Sequence, residues 1–407
     1  MNACVVQKAC VTCSRTKRKC GKQRPSCERC ASRSIRCTYS TSKTNRFVLL
    51  VEPILTETPT STEVVVSQLR SPGLILRTPP LQAHLDPPLL YGLSIPSGIS
   101  HHFDSLEDRF LSSETWVVDH RPMNELPPVG FTAMERHVLV LQQWLNRWVD
   151  TGSNPFIHSH LYSSRFPSSI QMAYVTLSSY LSRTNGNKEI VLRIVQDRAD
   201  ELLRDKGAIL DQLGPDATPA AKLTDILDQL SYLHSLLVYQ IICLFDGDAR
   251  LRHVAESRLF VLSSWATQLI ESAGQVFSQL SLSGISDTEG ITCLPNSIID
   301  KQWYCWALAE SVRRTWMVSM VVYAGYFMMQ QGWALCPGGM MFTNGKGLWN
   351  AGSADEWHRL YSLGDARFLQ RFDAERLFTE AKSADIDEFG KVMLEITFGT
   401  EKMENWD

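Results

Sequence analysis

From Thr132 onward, apolar positions recur at helical spacing. "TAME" supplies a capping box, with Thr132 as the cap and Glu135 three residues on. Met134, Val138, Leu141, Leu145 and Trp148 follow at alternating steps of four and three, which makes one apolar face. Gly152 is a natural helix stop. The same spacing predicts helices over residues 167–183, 188–206, 219–245, 248–274, 297–331, 353–363 and 373–396. Little alternates with period two. The expected fold class is therefore mainly α, with an all-α C-terminal body over residues 130–407 arranged as an irregular array or bundle.

One stretch of this body is unusually apolar. Thr315 to Gly345 carries no charged residue, and Arg313 and Arg314 precede it. Its dense apolar part, Trp316 to Met329, falls short of the roughly 20 residues a membrane span needs. A buried core helix is expected, and no membrane partner. The Trp, Tyr and Met residues of 303–341 read as core, with a small-molecule pocket as the alternative. Cys243, Cys293, Cys305 and Cys336 sit among apolar residues and read as core too.

Upstream the pattern fails. Residues 47–129 hold eleven of the eighteen prolines, and Ser and Thr are frequent. Proline interrupts continuous helix, so residues 41–129 read as a flexible, largely disordered linker. "FVLLVEPILTETPTSTEVVVSQL" is broken by Pro53 and Pro59 and shows no heptad run. A homodimer remains open, but no coiled coil supports it. "HHFDSLEDRFLSSETWVVDH" interleaves Asp104, Glu107, Asp108, Glu114 and Asp119 with Phe103, Leu106, Phe110, Leu111 and Trp116. It reads as an activation segment offered to coactivators, or as an amphipathic stretch docked on the body.

Charge separates the N-terminus from everything else. The chain of 407 residues has a formal net charge of −3, yet residues 1–46 hold twelve bases and one acid, Glu28, a net of +11 that leaves −14 on the remainder. A basic arm on an acidic body implies a polyanionic partner for the arm alone. No secretory signal is expected, since the apolar run Cys4 to Val6 is too short and Lys8 follows. A reducing compartment then favours metal over disulfides for the cysteines.

Six cysteines lie in this arm: Cys10, Cys13, Cys20, Cys27, Cys30 and Cys37. Each member of the first trio recurs 17 residues later. The repeat implies two pseudo-symmetric metal-binding units. Zinc takes four ligands in a tetrahedron and accepts thiolate. Six thiolates complete two tetrahedra only if two sulfurs bridge, and repeat symmetry points to Cys10 and Cys27. The rival readings are one four-cysteine site with two spare thiols, or a redox CxxC pair. Cys4 lies outside the repeat and reads as a free thiol. The halves differ between their second and third cysteines. "SRTKRK" places Arg15, Lys17, Arg18 and Lys19 on one expected helical turn, suited to base edges and phosphates in a major groove. "ASRSIR" has Arg33, Arg36 and the apolar Ile35, which suits scaffold and phosphate contact.

These residues resemble the zinc binuclear cluster DNA-binding domain of fungal transcription regulators. The matching features are Ala9 before the first cysteine, Lys17 and Lys19 ahead of the third, Pro25 two before the fourth, and Tyr39 two after the last. Ser14 departs from the family pattern, which often has Arg there. The resemblance implies a DNA-binding domain over residues 7–40 with two zinc ions as cofactors, and double-stranded DNA of CGG type as partner. It also implies Lys17 as the base-contacting lysine and a nuclear location. The run Arg15 to Lys19 also suits nuclear import. The body is similar in style to regulators of fungal secondary-metabolite gene clusters, in "FPSSIQMAYVTLSSYLSRTNGNKEIVLRIVQDRADELL", "ESVRRTWMVSM" and "FTNGKGLWNAGSADEWHRLY".

Other chemistry is weak. "NGKGLWNAG" lacks phosphate-loop spacing and reads as a surface turn. His158 and His160 have no third ligand nearby in sequence, and no G-x-S-x-G or H-E-x-x-H occurs. The expected function is a sequence-specific transcription factor, an activator specific to one biosynthetic gene cluster, and not an enzyme. A general metabolic regulator or repressor is the alternative, with an enzyme bearing a zinc-stabilised module the more distant one.

Overall fold

The computed structural model describes residues 9–23, 26–33, 35–38, 106–122, 131–209, 218–283, 298–362 and 368–406. Pro25, Tyr39, Cys4, Cys293 and most of the expected linker, with the segment tested for heptads, lie outside the described residues.

The N-terminal unit is built on two single-turn helices, α1 (Val11–Arg15) and α2 (Glu28–Ala31), which begin 17 residues apart as the cysteine repeat requires. The body is helical. It contains α3 (Phe131–Thr151), α4 (Ser168–Leu181), α5 (Lys188–Ile209), α6 (Pro219–Phe245), α7 (Ala249–Ser283), α8 (Ile298–Gln331), α9 (Ala354–Ser362), α10 (Leu377–Glu380), α11 (Glu388–Phe398) and α12 (Thr400–Glu404). Strands β1 (Met341–Thr343) and β2 (Phe368–Gln370) form a short antiparallel ribbon with Phe342 opposite Leu369.

Helices α6, α7 and α8 pack on one another and form the centre. Thr218 starts α6 by accepting a hydrogen bond from the Ala221 N–H at 3.3 Å, and Pro219 at the first helical position needs no donor partner. From Leu233 to Phe245 every residue of α6 is buried, so its far half is apolar on all sides and needs neighbours on all sides. Around this centre, α3 and α4 pack on α6, and α5 packs on α4 and α6. Helix α3 starts at Phe131, one residue before Thr132. It stops where expected: Gly152 has φ +78° and returns its N–H to the Trp148 carbonyl at 2.8 Å.

Helix α8 is the buried core helix expected from the charge-free stretch, and among the described residues no helix is long and apolar enough to cross a membrane. Arg313 and Arg314, read as its charged flank, are themselves inside, with exposures of 0% and 1%. Arg314 donates Nε to Glu310 at 2.9 Å, Nη1 to the Pro155 carbonyl at 3.0 Å, and Nη2 to the Thr343 carbonyl and Asp387 at 2.7 Å each. This pairing permits a guanidinium to be buried.

The expected helix over 373–396 is broken into a 3-10 turn (Arg371–Arg376), α10, a second 3-10 turn (Ser383–Asp385) and α11. Asp387 explains the break. One carboxylate oxygen caps α11 by accepting from the Gly390 N–H at 2.7 Å, and the other takes Arg314. A residue inside a continuous helix could not cap one.

The acidic-aromatic segment docks on the body. Residues Leu106–Leu111 and Ser113–Trp116 form 3-10 turns, and Phe110, Leu111 and Trp116 join the main core. Trp116 stacks on Phe277 at 5.2 Å, and Asp119 bridges to Gly339. Gly338 has φ +85°, and a Cβ there would fall 2.9 Å from Val118, so this strap and its neighbouring loop approach too closely for a side chain.

Candidate metal centre

The six cysteines of the repeat come together. Cys10, Cys13, Cys27 and Cys30 are buried, and Cys20 and Cys37 close the edges. Their sulfurs fall into two groups of four, Cys10–Cys13–Cys20–Cys27 and Cys10–Cys27–Cys30–Cys37, with every Sγ within 4.8 Å of the others in its group. Cys10 and Cys27 are common to both. The Sγ separations are 3.8 Å for Cys10–Cys27, 3.8 Å for Cys10–Cys30 and 3.7 Å for Cys13–Cys27. A zinc–sulfur bond of about 2.3 Å gives a tetrahedron with an edge of about 3.8 Å. The donor set therefore fits two zinc ions in chemistry and in spacing.

The backbone builds both halves the same way. The Cys10 N–H points at the Cys20 sulfur at 3.4 Å, and one repeat later the Cys27 N–H points at Cys37 at 3.3 Å. The Arg18 N–H returns to the Cys13 carbonyl at 3.0 Å, and the Ile35 N–H to the Cys30 carbonyl at the same distance. The N–H groups of Cys10 and Lys22 lower the Cys20 thiol to about 6. The Cys27 N–H likewise lowers Cys37. Although the Cys30 N–H lowers it, Cys27 is pushed up to about 12 by burial and the adjacent Cys30 sulfur. Burial raises Cys30. Thiols so close resist becoming thiolates together, and a dication at the centre of each group removes that resistance.

The cations take a different position from the one expected. Arg15, Lys17, Arg18 and Lys19 are exposed, but they do not share a helical turn. Helix α1 ends at Arg15, and Lys17 lies beyond its C-terminal end with φ +49°. The cysteine geometry is the reason. The chain must reverse within a few residues to bring Cys20 back to Cys10, and a left-handed residue reverses it. A helix C-terminus carries partial negative charge, which suits cations placed there.

Residues 8–46 match the family model described as the fungal Zn(2)-Cys(6) binuclear cluster domain. These residues belong to that family. The cluster domain binds two zinc ions, and the two cysteine groups that share Cys10 and Cys27 would hold them. Across nearly its full length the chain is similar to the transcription factor gsfR2 of Penicillium aethiopicum, at 27% identity over 98% of this chain and 94% of that protein. The Elsinochrome C biosynthesis regulatory protein elcR of Phaeosphaeria nodorum is 46% identical over 39 residues, 10% of this chain and 9% of that one. No solved structure matches the chain.

Elsewhere, no further group of three or more metal-ligating side chains converges among the described residues. His158 is buried against Trp303, Trp306 and Trp349. In "NGKGLWNAG" the turn forms, with Gly347 at φ +87°, but Trp349 within it is buried.

Sequence reading missed two features that bear on the cluster domain. Arg29, grouped with the general basic charge, donates Nη1 to Thr16 Oγ1 at 3.2 Å and to Cys13 Sγ at 3.7 Å. Thr12 Oγ1 donates to the Arg36 carbonyl at 3.0 Å. Both cross between halves. The repeat itself held a signal, because positions 12 and 29 are equivalent yet hold Thr and Arg.

Proposed function

We propose that this chain is a nuclear, sequence-specific transcription factor that activates a fungal secondary-metabolite gene cluster, and that it is a regulator and not an enzyme. The observation that carries the reading is the pair of cysteine groups sharing Cys10 and Cys27, with four exposed cations between Cys13 and Cys20. In this reading Cys10, Cys13, Cys20, Cys27, Cys30 and Cys37 are the zinc ligands, and Cys10 and Cys27 bridge. Lys17 meets base edges in a CGG-type triplet, and Arg15, Arg18 and Lys19 neutralise phosphates. The acidic remainder keeps the body off DNA and leaves it to contact the transcription machinery or coactivators. The names of the two relatives, a transcription factor and a biosynthesis regulatory protein, support this assignment.

The test is binding of the full chain to a CGG-containing duplex and to the same duplex with the triplet altered. Lys17→Ala should abolish the preference. Arg33→Ala should weaken binding to both duplexes alike. With about five phosphate contacts, affinity should fall a few hundred-fold between 50 and 200 mM salt. Equal affinity of the unaltered chain for both duplexes would refute sequence-specific reading of CGG.

A further inference from the structure

Lys17 presents a physical problem. It is a non-glycine residue in the left-handed region, φ +49°, on an exposed turn after a helix of only five residues. Such a backbone costs roughly 1–2 kcal/mol and needs local support to stay in one conformation. The zinc ligands lie at Cys13 and Cys20, and the turn runs between them. Yet base reading demands that the lysine be held to a fraction of an ångström.

Arg29 provides the support from the other half. It is half-buried on α2, and its Nη1 touches Thr16 Oγ1, the residue just before Lys17, and Sγ of Cys13, the one cysteine within α1. Thr16 in turn donates Oγ1 to the Thr12 carbonyl at 2.9 Å. The hydroxyl is thereby fixed as donor to the helix and acceptor from Arg29. Among the described residues Arg29 is the cation that reaches a cluster sulfur. Six thiolates on two zinc ions leave a net charge of about −2, which strengthens that contact.

We propose that Arg29 is a positioning residue. It clamps Thr16 and Cys13 so that the turn bearing Lys17 keeps one geometry, and it converts a basic arm into one that discriminates bases. The proposal rests on the reading of the chain as a sequence-specific DNA-binding protein. Arg29 need not touch DNA. Its guanidinium places one rigidly held nitrogen, Nη1, between an oxygen and a sulfur, a geometry that a lysine ammonium on a shorter, more flexible side chain does not reproduce.

The experiment uses the full chain, loaded with zinc, on a random-sequence duplex pool read by sequencing, together with zinc content and salt dependence. Arg29→Met should keep two zinc ions per chain and lower preference for the best-enriched sequence over the pool by about tenfold or more. Arg29→Lys should keep the salt slope of the unaltered chain but not its preference. Thr16→Val should match Arg29→Met, and the double variant should lose no more than either alone. Preference within twofold of the unaltered chain in Arg29→Met, or full recovery in Arg29→Lys, overturns the proposal. If Arg29→Met loses zinc, Thr16→Val decides: reduced preference with two zinc ions supports the clamp, and unchanged preference overturns it. An unaltered chain that enriches no sequence overturns the DNA-reading function and the clamp with it, an outcome distinct from failure of the clamp alone.

Discussion

Arg313→Met should unlatch the strap of residues 106–122 from the helical body. Arg313 is fully buried on α8, and burial lowers its pKa to about 10, so it stays charged at neutral pH. Its Nη2 donates to the Phe110 carbonyl at 2.5 Å and to Thr115 Oγ1 at 2.8 Å. Its guanidinium lies 4.0 Å over Trp116 and 5.0 Å over Phe368. Methionine fills similar volume and spares the desolvation of a cation, but it removes the stacking on Trp116 and leaves the Phe110 carbonyl with Thr115 Oγ1 at 3.2 Å in place of a charged donor. Losing two hydrogen bonds from a charged donor, together with the contact over Trp116, costs about 3–5 kcal/mol. Total stability is about 5–15 kcal/mol, so the midpoint should fall by about 10 °C. Urea unfolding followed by far-ultraviolet circular dichroism measures the loss, and trypsin should cut faster after the exposed Arg109. A double cycle with Trp116→Ala should show about 1–2 kcal/mol of coupling. A loss under about 1 kcal/mol with unchanged proteolysis would refute the latch.

Three further expectations concern pH, a helix stop and the reading arm. Burial, with Arg371 adding for His137 and with His160 and Arg314 adding for His158, holds His137, His158 and His234 down to about 3. An unfolded histidine takes its proton near 6.5, so below that pH the unfolded chain binds more protons and stability falls as pH falls. Each histidine contributes about 1.4 kcal/mol per pH unit below 6.5, and His137→Leu should remove about one third of the summed slope. An unchanged slope in denaturant titrations between pH 6.5 and 5 would contradict this. Gly152→Ala, at φ +78°, should cost about 1 kcal/mol although nothing lies within 4 Å of the added methyl. Neutral stability there would mean the end of α3 can relax. Lys17→Ala should erase sequence preference while Arg33→Ala lowers affinity uniformly, measured by competition between duplexes.

Much of the architecture was legible because local signals and burial agree. Thr218 and Pro219 mark the start of α6, and the matched bounds of residues 219–245 follow from that cap and the apolar run behind it. Helix α8 was legible from an absence of charge. Its buried arginines were not, because only Glu310 is a helical neighbour of Arg314. Asp387, Thr343 and Pro155 arrive from distant sequence. The strap looked like linker because it carries four acids and lies within a proline-rich region, while the few side chains that bury it, Phe110, Leu111 and Trp116, follow no helical or strand period. The break at Asp387 is likewise tertiary in origin. In the cluster domain the 17-residue repeat revealed the shared cysteines. The local charge pattern suggested one helical turn carrying Arg15 to Lys19, but the sulfurs impose a reversal after Arg15 that propensity does not encode.

The central claim, two zinc ions on six sulfurs with Cys10 and Cys27 shared, has a direct test in zinc stoichiometry by elemental analysis of the purified full chain and two variants. The unaltered chain should hold two ions. Cys13→Ala should hold one, because Cys10, Cys27, Cys30 and Cys37 remain complete. Cys10→Ala should hold close to none, because both groups lose a ligand. One ion in the unaltered chain, or equal losses in Cys10→Ala and Cys13→Ala, would contradict the shared-sulfur cluster.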